Sequence, residues 1–304
     1  MMQKIIKIIT LVLLPVFAFG QNDVIRLFFL GGQSNMEGYG YTKDLPANLQ
    51  SFQNVWIFNG NPAGDNEANG GLGKWDILKP GNGVGFKSDG KTNTLSDRFG
   101  IELSFAKKLQ ALYPNDKIAL IKYAKGGSSI DSVAAQIFGC WEPDFEGTTG
   151  LNQYDHFLTT LNTALKTRDI DGDGNLDQLI PTGIIWMQGE SDAVFEKTAE
   201  RYYSNLKRLM DLIRASFRVD DLPVVIGKIS DSWDNEVGKV WTHGELVQYA
   251  QEKFARTDKH AAIVRSTRYY KYSDRWHYDS AGYIDFGEKL ADAIYQLDRK
   301  IVHD

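Results

Sequence analysis

The stretch "LFFLGGQSNMEGYG", residues 27–40, changes character halfway along. An apolar run stops at Gly31-Gly32, and Ser34 follows between the amide side chains of Gln33 and Asn35. The run carries Leu and Phe without alternation, the pattern of a strand covered on both faces. Strands of that kind build parallel sheets, and ligands of open α/β sheets bind beyond the carboxyl ends of the strands. One stretch therefore predicts a fold class and the place of a site.

Including the run at 24–30, five such runs occur; the others lie at 117–123, 183–187, 223–229 and 261–265. Helical stripes lie between them. Ile101, Phe105, Leu109 and Leu112 share one; Tyr154, Phe157, Leu158, Leu161 and Leu165 a second; Tyr202, Leu206, Leu209, Ile213 and Phe217 a third. Leu246, Ala250 and Phe254 form a shorter fourth, and Tyr283, Phe286, Leu290, Ile294 and Leu297 a fifth. Alternation of strand and helix predicts an α/β domain with a five-stranded parallel sheet and helices on both faces. Residues 21–304 read as one domain without repeats or linkers. The segment at 53–93, rich in Gly and Asn and holding Trp56 and Trp75, reads as one long loop-like insertion.

The 304 residues are 42% hydrophobic and 24% charged, an ordinary globular balance. A net charge of -5 offers no basic face for nucleic acid or acidic lipid. Lys4 and Lys7 precede an apolar stretch over 8–19, with Ala18-Phe19-Gly20 at its end, so residues 1–20 read as a secretory signal peptide. The expected location is secreted or periplasmic. The stretch is shorter than the roughly 20 apolar residues that cross a bilayer. Gln21, not Cys, follows the expected cleavage site, which speaks against a lipid anchor. Cys140 is the sole cysteine, so no intrachain disulfide forms and an exported chain relies on its core. The sequence is silent on oligomeric state.

Small or polar residues follow every predicted strand. After the second comes "AKGGSS" with Gly126 and Gly127, and after the third "MQGESD" with Gln188, Glu190 and Asp192. Ser230-Asp231-Ser232 follows the fourth, and "SDRWHYD" with Asp274 and His277 lies past the fifth. A serine hydroxyl needs a base within hydrogen-bond reach to act as a nucleophile. His277 is the best-placed histidine, and Asp274 three residues earlier can hold its tautomer and stabilise its imidazolium. An acyl-transfer oxyanion needs preorganised donors. The Ser34 amide, an amide from Gly126-Gly127 and the Gln188 side chain are candidates. Taken singly, the serine-asparagine pair reads as a helix cap and the glycines as a turn; joint placement at successive strand ends favours a site.

"GQSNMEG", "KGGSSI", "WMQGESD" and "DRWH" resemble the signature blocks of the SGNH-hydrolase superfamily, in its sialate O-acetylesterase and carbohydrate esterase family six branch. The blocks run from Gly32 to His277. The resemblance implies a flavodoxin-like three-layer α/β/α sandwich and deacylation through an acyl-serine, without a cofactor. It implies Ser34 as nucleophile, His277 as base and Asp274 as its partner. Ser34, a glycine of the second block (Gly126 in preference to Gly127) and Gln188 make the implied oxyanion hole. Asn35, Glu190 and Asp192 are the implied supporting residues. Gln188 stands where the superfamily more often has Asn, as in the carbohydrate branch. The implied partner is an acetylated carbohydrate. Sialate and acetylxylan esters both fit, and a noncatalytic carbohydrate-binding relative is the alternative of another class.

Two further motifs are weighed by context. "GFKSDGKT", 85–92, spells a phosphate loop, but neither strand nor helix flanks it, so no nucleotide site is expected. "DIDGDGNLD", 169–177, places Asp169, Asp171, Asp173, Asn175 and Asp177 at alternate positions, as in the first half of a calcium loop; Ile180 stands where a bidentate Glu belongs. A structural calcium and a solvated acidic turn are the two readings. Trp56, Trp75, Trp141, Trp233 and Trp276 fall in predicted loops, where an indole could stack on a sugar.

Overall fold

In the computed structural model, which describes residues 24–303, β1 (Val24–Gly32) runs through the middle of a seven-stranded sheet. The other strands are β2 (Val55–Asn59), β3 (Trp75–Ile77), β4 (Lys117–Ala124), β5 (Gln178–Met187), β6 (Val224–Gly227) and β7 (Ala261–Val264). Their order is β7-β6-β5-β1-β4-β2-β3, and only β3 is antiparallel to its neighbour. The helices are α1 (Ser34–Glu37), α2 (Glu102–Leu112), α3 (Gln153–Lys166), α4 (Glu196–Phe217), α5 (Gly244–Thr257) and α6 (Ser280–His303).

Two adjacent residues of β1 show why the molecule is layered. Side chains alternate across a strand. Phe28 meets Phe105 of α2, edge to face at 5.6 Å, whereas Phe29 meets Phe157 of α3 at 4.8 Å and Phe217 of α4 at 6.1 Å. Helix α2 packs on α6, and α4 on α5. Both faces are thus covered, and Leu27 to Leu30 are fully buried. The three-layer parallel architecture agrees with the fold class read from the sequence.

The strand count does not. The segment at 53–93 is not one loop: it contributes β2, paired with β4, and β3 at the edge. Val55 to Asn59 are all buried, four apolar residues and Asn59 hidden by Gly- and Asn-rich flanks. Trp56 and Trp75 are therefore buried strand residues, and Trp141 packs edge-on against Trp186 at 5.0 Å; these three indoles are core. Strand β5 starts five residues before the predicted run, and its register with β1 shifts between Leu27 and Phe28. A short ribbon, Lys87–Ser88 with Asn93–Thr94, overlaps residues 85–92, and no helix opens at Lys91. The expected leader at 1–20 lies outside the described residues. Among the described residues no helix is long and apolar enough to cross a membrane.

Candidate active site

Gly32 ends β1 against β5. A Cβ there would lie 1.9 Å from the Met187 carbonyl oxygen, at φ +147°. The chain turns out of the sheet at this joint, and the Gln33 N–H donates to the same carbonyl at 3.0 Å. Gln33 Oε1 then accepts the Gly189 and Ser191 N–H groups at 3.2 and 3.3 Å. Ser34 follows as the first residue of the single-turn α1.

His277 lies in the loop before α6. Its Nδ1 is 2.7 Å from Asp274 Oδ2, while Asp274 Oδ1 accepts the N–H groups of Trp276 and His277 at 2.7 and 2.8 Å. Burial pulls the imidazole below its ordinary pKa and Arg98 adds to this, against the opposing pull of Asp274. Burial pushes Asp274 up, but the bonds from His277 and Trp276 hold its carboxyl below the usual range. Asn35 joins the two loops: its Nδ2 donates to Glu190 Oε1 at 2.8 Å and to the Trp276 carbonyl at 3.2 Å, and its Oδ1 accepts from the Tyr283 hydroxyl at 2.8 Å.

Ser34, His277, Gly126 and Gly127 line one cavity of about 460 Å³. Among the described residues, Ser34 Oγ and His277 Nε2 carry no hydrogen bond, and neither do the Ser34 and Gly127 amides. The other two expected oxyanion donors are engaged. Gly126 N–H donates to Glu37 Oε2 at 2.7 Å. Gln188 is fully buried behind the cavity, its Nε2 donating to Asp192 Oδ2 at 2.6 Å and to the Ser128 carbonyl at 3.2 Å. Both donors serve buried carboxyl groups, Glu37 and Asp192, whose burial is costly without hydrogen bonds. In this arrangement neither Gly126 nor Gln188 presents a free donor. Burial raises the pKa of Glu37, of Glu190, and of Asp192, the last to about 7.

Residues that sequence reasoning passed over also shape the cavity. Tyr39 stacks on His277 with ring centroids 3.5 Å apart and planes 5° from parallel, and Arg98 Nη1 donates to its carbonyl at 2.8 Å. Glu37, Lys125 and Trp241 line the wall. Glu37 and Tyr39 sit within the "GQSNMEGYG" stretch, but stacking on a ring 238 positions later leaves no mark in a local pattern. Of the loop tryptophans, Trp276 lines the cavity and is 45% exposed, and Trp233 is 63% exposed.

In the acidic turn, carboxylate oxygens of Asp169, Asp171 and Asp177 lie within 4.8 Å of one another. Asp173 and Asn175 turn onto each other at 3.1 Å instead. Asp171 Oδ2 takes Lys117 Nζ at 2.8 Å, and Asp177 Oδ2 takes the Ile170 N–H at 2.6 Å. Three carboxylates therefore converge closely enough to face one cation, and an ammonium already offsets part of their charge.

A family model described as carbohydrate esterase, sialic acid-specific acetylesterase, matches residues 24–296. No curated protein matches the sequence. A solved protein from Arabidopsis thaliana is similar with a TM-score of 0.60 at 20% identity, over 89% of this chain and 98% of that one. A carbohydrate acetylesterase from Xanthomonas citri gives 0.58 at 17%, over 90% of this chain and 57% of that one. NanS gives 0.57 at 15%, over 92% and 99%. At these identities the structures support the fold.

Proposed function

The chain belongs to the sialic acid-specific acetylesterase family of carbohydrate esterases and is a carboxylic ester hydrolase; from that membership we propose that it removes O-acetyl groups from sugar hydroxyls through an acyl-serine, and from the leader pattern of residues 1–20 that it is exported. The observation that carries this reading is the meeting of Ser34 and the Asp274-held imidazole of His277 on one cavity.

Ser34 Oγ attacks the acetyl carbonyl carbon while His277 Nε2 takes the hydroxyl proton, and Asp274 stabilises the imidazolium. The tetrahedral oxyanion lies against the Ser34 and Gly127 amides, which have no other partner. Gly126 joins them once Glu37 releases its N–H, and Gln188 once its amide leaves Asp192. His277 then passes the proton to the departing sugar oxygen. Water, deprotonated by the same imidazole, attacks the acetyl-serine, and the imidazolium returns that proton to Ser34 Oγ as the acyl bond breaks and acetate leaves. The chemistry as written needs no cofactor.

The test is acetate release from acetylated xylan, O-acetyl sialic acid and a short aryl acetate. Ser34→Ala lowers kcat by about 10³-fold or more, the usual cost of losing a triad member. Undiminished turnover in that variant overturns the assignment. The same panel separates sialate from xylan esters. Sequencing of the secreted protein tests export, with Gln21 expected at its amino end.

A further inference from the structure

A second cavity, of about 230 Å³, adjoins the first, and Trp241 lines both. Trp233 also lines it, with its indole largely in solvent. Its backbone sits at φ +51°, in the left-handed region that a bulky residue adopts only when its surroundings force it there. What holds it is Asp231. That carboxylate accepts the N–H groups of Trp233 at 2.8 Å, Val240 at 3.1 Å and Trp241 at 2.8 Å. One side chain thus fixes the backbone under both indoles.

This loop is also fastened to the loop that carries the imidazole. Ser232 Oγ donates to the Arg275 carbonyl at 2.8 Å, and the Arg275 guanidinium lies 3.4 Å from Asp234. Trp276, next in sequence, lines the Ser34 cavity. Three indoles on two cross-linked loops therefore follow one path away from the nucleophile. Arg268 and the ion-paired Lys239 and Glu245 flank the outer cavity.

The lining selects its ligand. A purely apolar molecule would cover Glu245 and Arg268 without satisfying them. A phosphate would meet the carboxylates of Asp231 and Glu245. A pyranose has an apolar C–H face for an indole and hydroxyls around its edge for charged donors and acceptors. The volume lies just under the ~300 Å³ at which small-molecule clefts begin, the scale of one ring rather than a chain. We propose that the cavity lined by Trp233 and Trp241 is a subsite for a neighbouring sugar of the substrate, so that the enzyme acts on acetylated oligo- or polysaccharides in preference to free monosaccharides. This rests on the carbohydrate-esterase reading above.

Binding is measured calorimetrically in the Ser34→Ala background with two unacetylated probes, xylotetraose and a sialylated trisaccharide, so that turnover plays no part. At least one binds, and Trp233→Ala weakens it about tenfold, the scale of one lost aromatic contact; Trp233→Phe restores most of the affinity. With Ser34 intact, Trp233→Ala lowers the ratio of kcat/KM on an acetylated oligosaccharide to that on an aryl acetate about tenfold, mainly through KM. Failure of both probes to bind, an unchanged Kd, or an unchanged ratio overturns the subsite. Full aryl acetate hydrolysis by Ser34→Ala overturns the esterase assignment instead and leaves the binding result standing.

Discussion

At the scale of single residues, the contact between Tyr39 and His277 bears most directly on the chemistry. Two neutral aromatic rings prefer offset or edge-to-face contact over a parallel sandwich, whereas a ring face attracts a cation. Centroids 3.5 Å apart at 5° form the sandwich, an arrangement that gains when His277 becomes an imidazolium. The charged groups around the imidazole are Asp274, which favours the cation, and Arg98, which opposes it; Glu37 and Lys125 line the same cavity. With His277 as the base proposed above, turnover needs its neutral form, so kcat/KM falls as the pH drops through the folded pKa. Burial and Arg98 place that midpoint below the ordinary 6.5. In Tyr39→Leu the imidazolium loses its stack, the midpoint moves further down by about half a unit, and the plateau drops several-fold. Tyr39→Phe keeps the ring and both values. A pH profile of kcat/KM, paired with an NMR titration of the His277 ring, checks this. A midpoint above 6.5, or one that stays put in Tyr39→Leu, defeats the argument. Ser34, His277 and Asp274 were legible in the sequence because each follows a strand or its neighbour in D-x-x-H spacing. Tyr39 was not, because only the closed fold sets the two rings face to face.

Among the elements, β5 separates two features that a sequence pattern sets side by side. The acidic turn 169–177 leads into Gln178, and Gln188 follows Met187 at the other end. At ~3.3 Å per residue, the ten residues of β5 span about 33 Å. The turn therefore sits at the amino edge of the sheet, and the cavity at the carboxyl edge. Chelation with EDTA is expected to leave kcat/KM unchanged on an aryl acetate, whatever the turn binds. Added calcium that raises Tm without changing kcat/KM identifies a structural ion; an unchanged Tm identifies a solvated turn. Loss of turnover on chelation contradicts the separation. Legibility varied element by element. The runs in β1 and β4 stood out because they are long and apolar. Strands β2 and β3 did not, because their Gly- and Asn-rich flanks made the whole segment read as one loop, and β3 is only three residues long. The outer indoles, Trp233 and Trp276, lie exposed on their loops, whereas Trp56 and Trp75 sit on strands and Trp141, itself on a loop, is buried, because a large apolar ring gains most by burial.

Across the whole molecule, the cavity depends on bringing residues 34 and 277 onto one wall, and one buried ion pair anchors the nearer side. Lys122, in the middle of the sheet on β4, is fully buried with Glu102, its Nζ 2.8 Å from Glu102 Oε2. The same ammonium donates to the carbonyls of Glu37 and Asn82, each at 2.8 Å. It thus ties three regions together: the turn that carries Ser34, the 53–93 segment and the start of α2. The other Glu102 oxygen accepts the Gly100 N–H at 3.0 Å, so the carboxylate is satisfied on both sides. Removing one partner of a buried pair leaves an uncompensated charge and costs about 3–5 kcal/mol, a large share of the roughly 5–15 kcal/mol that holds a domain folded. Lys122→Met is expected to lose that much in urea unfolding. The double variant Lys122→Met/Glu102→Leu regains part of it, since an apolar pair of similar volume removes the stranded carboxylate. Activity responds differently. Both variants lack the ammonium on the Glu37 carbonyl, so α1 loses an anchor and kcat/KM stays low in the double variant even where stability returns. If stability and kcat/KM recover together, the pair only supports the fold. If Lys122→Met unfolds at the wild-type urea midpoint, the pair is not the anchor argued for here.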